Sequence, residues 1–262
     1  MKPTSIKLEI TAESLITHGA FGARAGNAVP VRRVAGGLRG ETIPAISGNA
    51  LRGLSRRIVF RELFSRQNLT RESLDGFDRL YAALANGGHL EASDQNANPD
   101  TMRALRDCIP LSVFGAALFK MMLEGRLSVG WAWPRCQERG TGDRAAESLI
   151  SETTQTRHVD REEHEPKETG VTPMPVTYET FNVGTVFDSE WLFMSEPTDL
   201  EIGCAVWAAS QIVHVGGKAA AGMGRVGVVH DGDTALAQAF DAWMNTDEAA
   251  ESVLAVLPIV AK

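Results

Sequence analysis

A chain of 262 residues, 44% hydrophobic and 23% charged, has the material of one elaborated domain or two small ones around a buried core. It has no run of 18 apolar residues, and Met1–Ser5 offers no apolar signal core, so a cytoplasmic protein without membrane contact is expected. The three cysteines (Cys108, Cys136, Cys204) are odd in number and widely spaced, which speaks against a disulfide framework.

The net charge of −7 argues against a nucleic-acid partner until its distribution is followed. Residues 21–71 hold ten Arg, no Lys, and only Glu41 and Glu62 in opposition. That local +8 leaves −15 for the rest of the chain. A basic stripe on an acidic body suits a protein that grips a polyanion with one surface. The exclusive use of Arg favours bidentate or stacked phosphate contacts.

In chain order, Ile6–Thr17 alternates imperfectly and reads as a half-buried first strand. It runs into a glycine-rich basic loop holding His18 and Arg24, then a short edge strand Val29–Val34 with Arg32 and Arg33, where Pro30 cannot donate to a ladder. The stretch Ile43–Ile46 leads into a helix over residues 47–63, with Ser47 or Asn49 able to cap it. Leu51, Leu54, Ile58, Val59 and Leu63 form its apolar stripe. Arg52, Arg56 and Arg57 follow the helix start, where free amides and the positive dipole end attract anions. Arg52 and Arg56 are four apart, so one phosphate could meet both. A solvated basic helix face fits the same residues equally well.

Residues 67–124 read as a helical insertion, with Ile109–Leu123 as one apolar helix. Arg126–Trp133 reads as a strand in which Trp131 and Trp133 share a face; a core or subunit-interface role is expected because no charged residue accompanies them. Arg135–Thr172 is polar and too long for an ordinary connection, so it reads as either a functional excursion or a disordered segment. Pro175–Phe181 and Thr185–Met194 read as paired strands or one bent strand, Leu200–Val215 as an apolar helix, Val226–His230 as a last strand and residues 234–262 as a helical tail. Stripped of insertions, the order is βαββαβ. That predicts an α+β fold with a modified ferredoxin-like or RNA-recognition palm.

Gly216, Gly217, Gly222, Gly224 and Gly227, with Lys218 and Arg225, run from the end of the second long helix into the last strand. Gly222–Gly227 matches G-x-G-x-x-G literally, but a dinucleotide site needs a strand before it and a helix after it, and here the order is reversed. The glycines are read as a close-approach loop whose amides and cations meet phosphate. No metal spacing is recognisable around Cys136, His158 and His164, and no cofactor is expected. Ser47, Ser112 and His214 make no nucleophile arrangement.

Five stretches, in order, resemble the CRISPR-associated RAMP superfamily. Ile46-Ser-Gly-Asn-Ala-Leu-Arg-Gly53 resembles its "I-x-G-(S/N)-(S/A)-(L/I)-(R/K)-G" helix start. Phe114-Gly115 with Gly125-Arg-Leu-Ser-Val129 resembles its "LFG … GKLxV" segment, and Thr156-Arg-His-Val-Asp-Arg161 its "TRVxIDR" segment. Tyr178–Phe187 resembles the "YExLPxGTxF" strand pair, and Gly216–Val226 the "GGxxxxGxGRV" loop. The chain looks most like the seventh-family backbone subunits of type III and type IV effectors.

The resemblance implies one elaborated domain over 1–262: a palm, a helical insertion and a thumb-like β-hairpin at 135–177. It implies guide RNA (crRNA) as ligand. It also implies head-to-tail copies of the chain, other effector subunits, and target nucleic acid held by base pairing as partners. The RNA-binding set expected is His18, Arg24, Arg32, Arg33, Ser47, Asn49, Arg52, Arg56, Arg57, Arg157, His158, Met174, Gly216, Gly217, Lys218 and Arg225, with Met174 in a Pro173-Met-Pro175 wedge. Cleaving members carry an aspartate after the first strand; here no Asp or Glu occurs between Ser14 and Gly40, so a subunit that binds without cutting is expected. The alternative is a superfamily endoribonuclease with His18 as base.

Overall fold

The computed structural model describes residues 4–19, 28–89, 99–118, 121–155 and 175–260. Arg24, Arg157, His158 and Met174, expected above to bind RNA, lie outside these residues.

The chain opens with β1 (Ser5–Ala12), whose Ile6, Leu8, Ile10 and Ala12 are buried while Lys7 is exposed, the alternation of a strand with one wet face. Three short strands follow: β2 (Ala28–Val29), then β3 (Arg33–Ala35) and β4 (Thr42–Pro44), which pair antiparallel. The first helix, α1 (Gly48–Arg66), is capped by Ser47, whose Oγ accepts the Ala50 amide at 3.3 Å. Leu51, Val59, Phe60 and Leu63 on its inner face are fully buried, each contributing about 1.5–3 kcal/mol.

The insertion holds α2 (Phe77–Leu84), β5 (Gly88–His89), α3 (Pro99–Asp107), α4 (Ile109–Phe114), β6 (Ala116–Leu118) and β7 (Met121–Leu123); β5, β6 and β7 form a small sheet. The expected single helix over 109–123 is therefore a short helix and two strands. Gly115, at φ +69°, turns the chain back, and a Cβ there would collide with the backbone of Leu123 and Gly125. That long-range approach overrides the local apolar periodicity.

Next come β8 (Leu127–Val129) and β9 (Trp133–Pro134), both antiparallel to a later strand, β12 (Val186–Phe193). The expected continuous strand breaks at Gly130–Ala132. Gly130 lies against the Glu190 carbonyl, and Ala132 exchanges backbone hydrogen bonds with Ile46 (2.9 and 3.1 Å). Between β9 and β12, two 3-10 turns (Gln137–Arg139 and Ala146–Leu149) lead to a hairpin of β10 (Ile150–Gln155) and β11 (Val176–Phe181), with β2 parallel to β11. Ile43, Cys136, Ala146 and Leu149 form a small buried cluster under this region.

The second long helix, α5 (Asp199–Ser210), has a full capping box between Thr198 and Glu201. It stops short of the expected Val215 because residues 213–215 pair with the approach to the last strand, β13 (Val226–His230): the Val215 amide donates to the Gly224 carbonyl at 2.7 Å and the Val226 amide to the Val213 carbonyl at 3.0 Å. Three helices close the chain: α6 (Thr234–Trp243), α7 (Asp247–Leu254) and α8 (Leu257–Val260).

The central sheet has strand order β13-β1-β12-β8, with antiparallel neighbours. With α1 between β1 and β8 and α5 between β12 and β13, the chain runs β-α-β-β-α-β through it: a mixed helix-and-sheet α+β structure. Ile6, Leu8, Phe187, Trp191 and Phe193 on one face of the sheet join the α1 and α5 side chains in one hydrophobic core.

Candidate nucleic-acid interface

The segment following β1 is stitched in on both sides. Thr17 forms a β-bridge with Gly217, its Oγ1 donating to the Gly217 carbonyl at 2.9 Å, and Gly19 bridges Val31. The Glu13 and Ser14 amides both donate to the Arg225 carbonyl. Gly216 sits at φ +86° with Thr17 directly against it, so a side chain at 216 would strike the Thr17 carbonyl. This packing brings the glycine loop beside the start of α1, two regions far apart in sequence.

Together they enclose a cavity of about 390 Å³ lined by Thr17–Gly19, by Asn49, Ala50, Gly53, Leu54 and Arg57 of α1, and by His214–Gly217. The positive end of α1 opens into it. Arg57 is its cation: among the described residues, no carboxylate pairs with it. Gly53 leaves open space, with nothing within 4 Å of where its Cβ would stand.

His18 sits in the wall of the cavity. Its Nε2 accepts the Ser47 amide at 3.1 Å, so that nitrogen is unprotonated. Burial, and then the neighbouring charge of Arg32, lower its pKa to about 4. A neutral imidazole with its lone pair already engaged holds the helix start in place and is a poor general base.

The expected binding residues fall into three groups. Ser47, Asn49, Arg57, His18, Gly216 and Gly217 converge at the cavity. Arg52, Lys218 and Arg225 lie close by in sequence but have partners: Arg52 donates to Asn49 Oδ1 at 2.8 Å, Lys218 stands 4.8 Å from the Tyr178 ring centroid, and Arg225 pairs with Glu13 at 2.7 Å. Arg32 has its backbone amide on the His18 carbonyl at 2.8 Å. The third group is consumed by the fold. Arg33 is clamped between Glu147 and Glu179 at 2.8 and 2.6 Å, and those hydrogen bonds raise its pKa. Arg56 donates to the carbonyls of Gly115 and Asn86, both at 3.2 Å, and desolvation followed by the charges of Arg52 and Arg57 lowers its pKa to about 10. Arg52 and Arg56 are therefore not both free to meet one phosphate, since Arg56 is held by two backbone carbonyls.

Thr17, Gly53 and His214 line the cavity although the sequence did not single them out as binding residues. Gly53 carried a signal, since a glycine inside a helix costs up to about 1 kcal/mol against Ala and no packing demands it here. Trp131 and Trp133 also differ from expectation, because charged groups do accompany them: Arg139 stacks on Trp133 at 4.5 Å, and Trp133 pairs in register with Asp188. Among the described residues no group of three His, Cys, Asp or Glu side chains could hold a metal, and no helix is long and apolar enough to cross a membrane.

No protein-family model matches the chain, and no curated protein matches it. Solved structures do. A chain of a type IV-B CRISPR complex matches with TM-score 0.58 and 21% identity over 87% of this chain and 90% of that one. Csc2 from Thermofilum pendens gives TM-score 0.42 and 16% identity over 97% and 80%. A chain of the type III-B Cmr-beta complex bound to cognate target RNA gives 0.44 and 14% over 87% and 61%. The chain shares its fold with the type IV-B subunit.

Proposed function

We propose that this chain is a guide-RNA-binding backbone subunit of a CRISPR effector complex. The central sheet with α1 and α5 is read as a ferredoxin-like, RNA-recognition palm, and the β10–β11 hairpin as the base of a thumb. One observation carries the reading: the cavity in which a helix start, a glycine loop and the uncommitted Arg57 meet. A helix N-terminus, close-approach glycines and a guanidinium are the parts that hold phosphate oxygens without reading bases. Sequence is then read by guide–target pairing, and copies of the chain line up along the guide with other effector subunits.

The subunit is proposed not to cut its target. His18 is neutral and engaged by the Ser47 amide, which disfavours the endoribonuclease alternative.

Gly53→Glu tests the assignment. It introduces a carboxylate into the cavity where there is open space, and it removes a helix-interior glycine, so folding should be unharmed. Guide-RNA affinity, measured by fluorescence anisotropy in a salt series, should fall at least about tenfold, while the melting temperature does not fall. Unchanged affinity would remove the cavity from the interface. Wild-type assemblies should also lengthen with guide length in sedimentation, and RNA cleavage that is lost in His18→Ala would restore the enzyme reading.

A further inference from the structure

The sheet face turned away from α1 and α5 carries none of the features of the cavity. Along it, Lys7 stands opposite Glu190 and Glu9 opposite Asp188, with Val229 on the edge strand, 68% exposed. With Trp131 and Trp133 at its rim, this face forms an open cleft of about 760 Å³, larger than the cavity at α1. The two indoles lie 5.9 Å apart, tilted by 32°.

The charges in the cleft are unequally committed. Arg135 binds Glu9 at 2.6 Å and Asp188 at 2.8 Å, and Arg139 is held by the Gly36 carbonyl at 2.7 Å and by the Trp133 ring. Asp231 accepts the Lys7 backbone amide at 2.7 Å. Glu190 is exposed and has no ion-pair partner among the described residues, although Lys7 faces it across the strands. What remains on offer is an indole face, the unpaired Glu190 with the Lys7 ammonium opposite it, and an apolar Val229 beside them.

We propose that this face docks a protein partner through an extended segment carrying an arginine or lysine, with the cation over Trp131 and beside Glu190. The Arg139–Trp133 pair displays the same chemistry within the chain. Lys7, Arg135 and Arg139 share the lining with Glu9, Asp188, Glu190 and Asp231, and Arg135 already neutralises Glu9 and Asp188; it is the unpaired Glu190 beside an indole that favours a peptide cation over a phosphate. Tryptophan and arginine are the residues on which protein–protein binding energy concentrates. The proposal stands independently of the guide-binding reading, which uses the cavity between α1 and the glycine loop and shares no lining residue with this cleft.

The probe is a fluorescein-labelled Gly-Arg-Leu-Arg-Gly peptide titrated into the full chain, followed by anisotropy at low salt. Trp131→Ala should weaken its binding about tenfold, and Glu190→Gln severalfold. Glu248→Gln, which removes the same charge from exposed α7, should change nothing. No saturable binding to the wild type would overturn the proposal. Equal affinity across all three variants would do the same, since it would mean diffuse attraction to an acidic body. An oligouridine that displaces the peptide would reassign the face to nucleic acid.

Discussion

Two regions built from the same arginine-rich stretch do opposite things. At the junction beneath the β10–β11 hairpin, Arg33 is locked to Glu147 and Glu179 and serves as mortar between the β3–β4 hairpin and the 135–181 region. At the start of α1, Arg57 lines a cavity with no carboxylate partner among the described residues. Composition counts both as one basic stripe. A guanidinium already satisfied by two carboxylates offers a phosphate little, because binding would have to displace both acids. The anion-binding capacity of this stretch is therefore set by its uncommitted arginines, a smaller set than the ten between residues 21 and 71.

The largest expected break in that comparison is Arg33→Ala. Arg33 and Glu179 are each about a quarter exposed or less, so removing the guanidinium leaves a mostly desolvated carboxylate facing no cation. Chemical denaturation should show a loss of about 2–3 kcal/mol, and Arg33→Lys should restore only part of it, because an ammonium cannot serve two carboxylates in the fork geometry. A loss under about 0.5 kcal/mol would mean that the junction is held by its apolar cluster alone.

Gly216→Ala comes next. At φ +86° a side chain is strained, and here it also meets the Thr17 carbonyl, so about 2 kcal/mol should be lost. Unlike Arg33→Ala, this change should also reduce guide affinity, because the glycine loop is a wall of the cavity.

A pH titration of stability separates the regions in another way. His18 is held below its ordinary value, at about 4, by burial and then by Arg32, so the folded state stays neutral where the unfolded chain takes up a proton. Its contribution is intact above about pH 6.5 and is lost as pH falls towards 4, by at most about 3 kcal/mol. His18→Gln, whose side-chain carbonyl can still accept the Ser47 amide, should flatten the stability profile across that window.

These contrasts also mark how far the sequence could be read. β1 and β12 were legible because each buries alternate residues against one core, and the α1 start was legible because its cap, glycines and arginines are adjacent in the chain. The fate of each arginine was not. Arg33 meets Glu147 and Glu179 at separations of 114 and 146 residues, and no local pattern reports such a pairing. The same holds for Ile109–Leu123, where apolar spacing suggested one helix until the chain folded back on Gly115. For Trp131 and Trp133, the charged company arrives from the 3-10 turn at Arg139 and from Asp188 on β12, both absent from their own strand.

The finest test uses neighbours. Arg56 and Arg57 are consecutive on α1, yet Arg56 bridges two carbonyls of the insertion while Arg57 lines the cavity. Arg56→Ala should cost about 1–2 kcal/mol, since it frees the Asn86 and Gly115 carbonyls and opens the space against Gly87 that its guanidinium fills. Arg57→Ala removes a charge that no described acid pairs with, so unfolding should shift by less than about 0.5 kcal/mol. Guide binding should report the reverse order. Arg57→Ala should weaken it severalfold and reduce the salt slope by about 0.7, the signature of one lost phosphate contact on a single strand. Arg56→Ala, measured where the variant is folded, should leave that slope unchanged. Equal slopes for the two variants would return Arg57 to the solvated face of its helix.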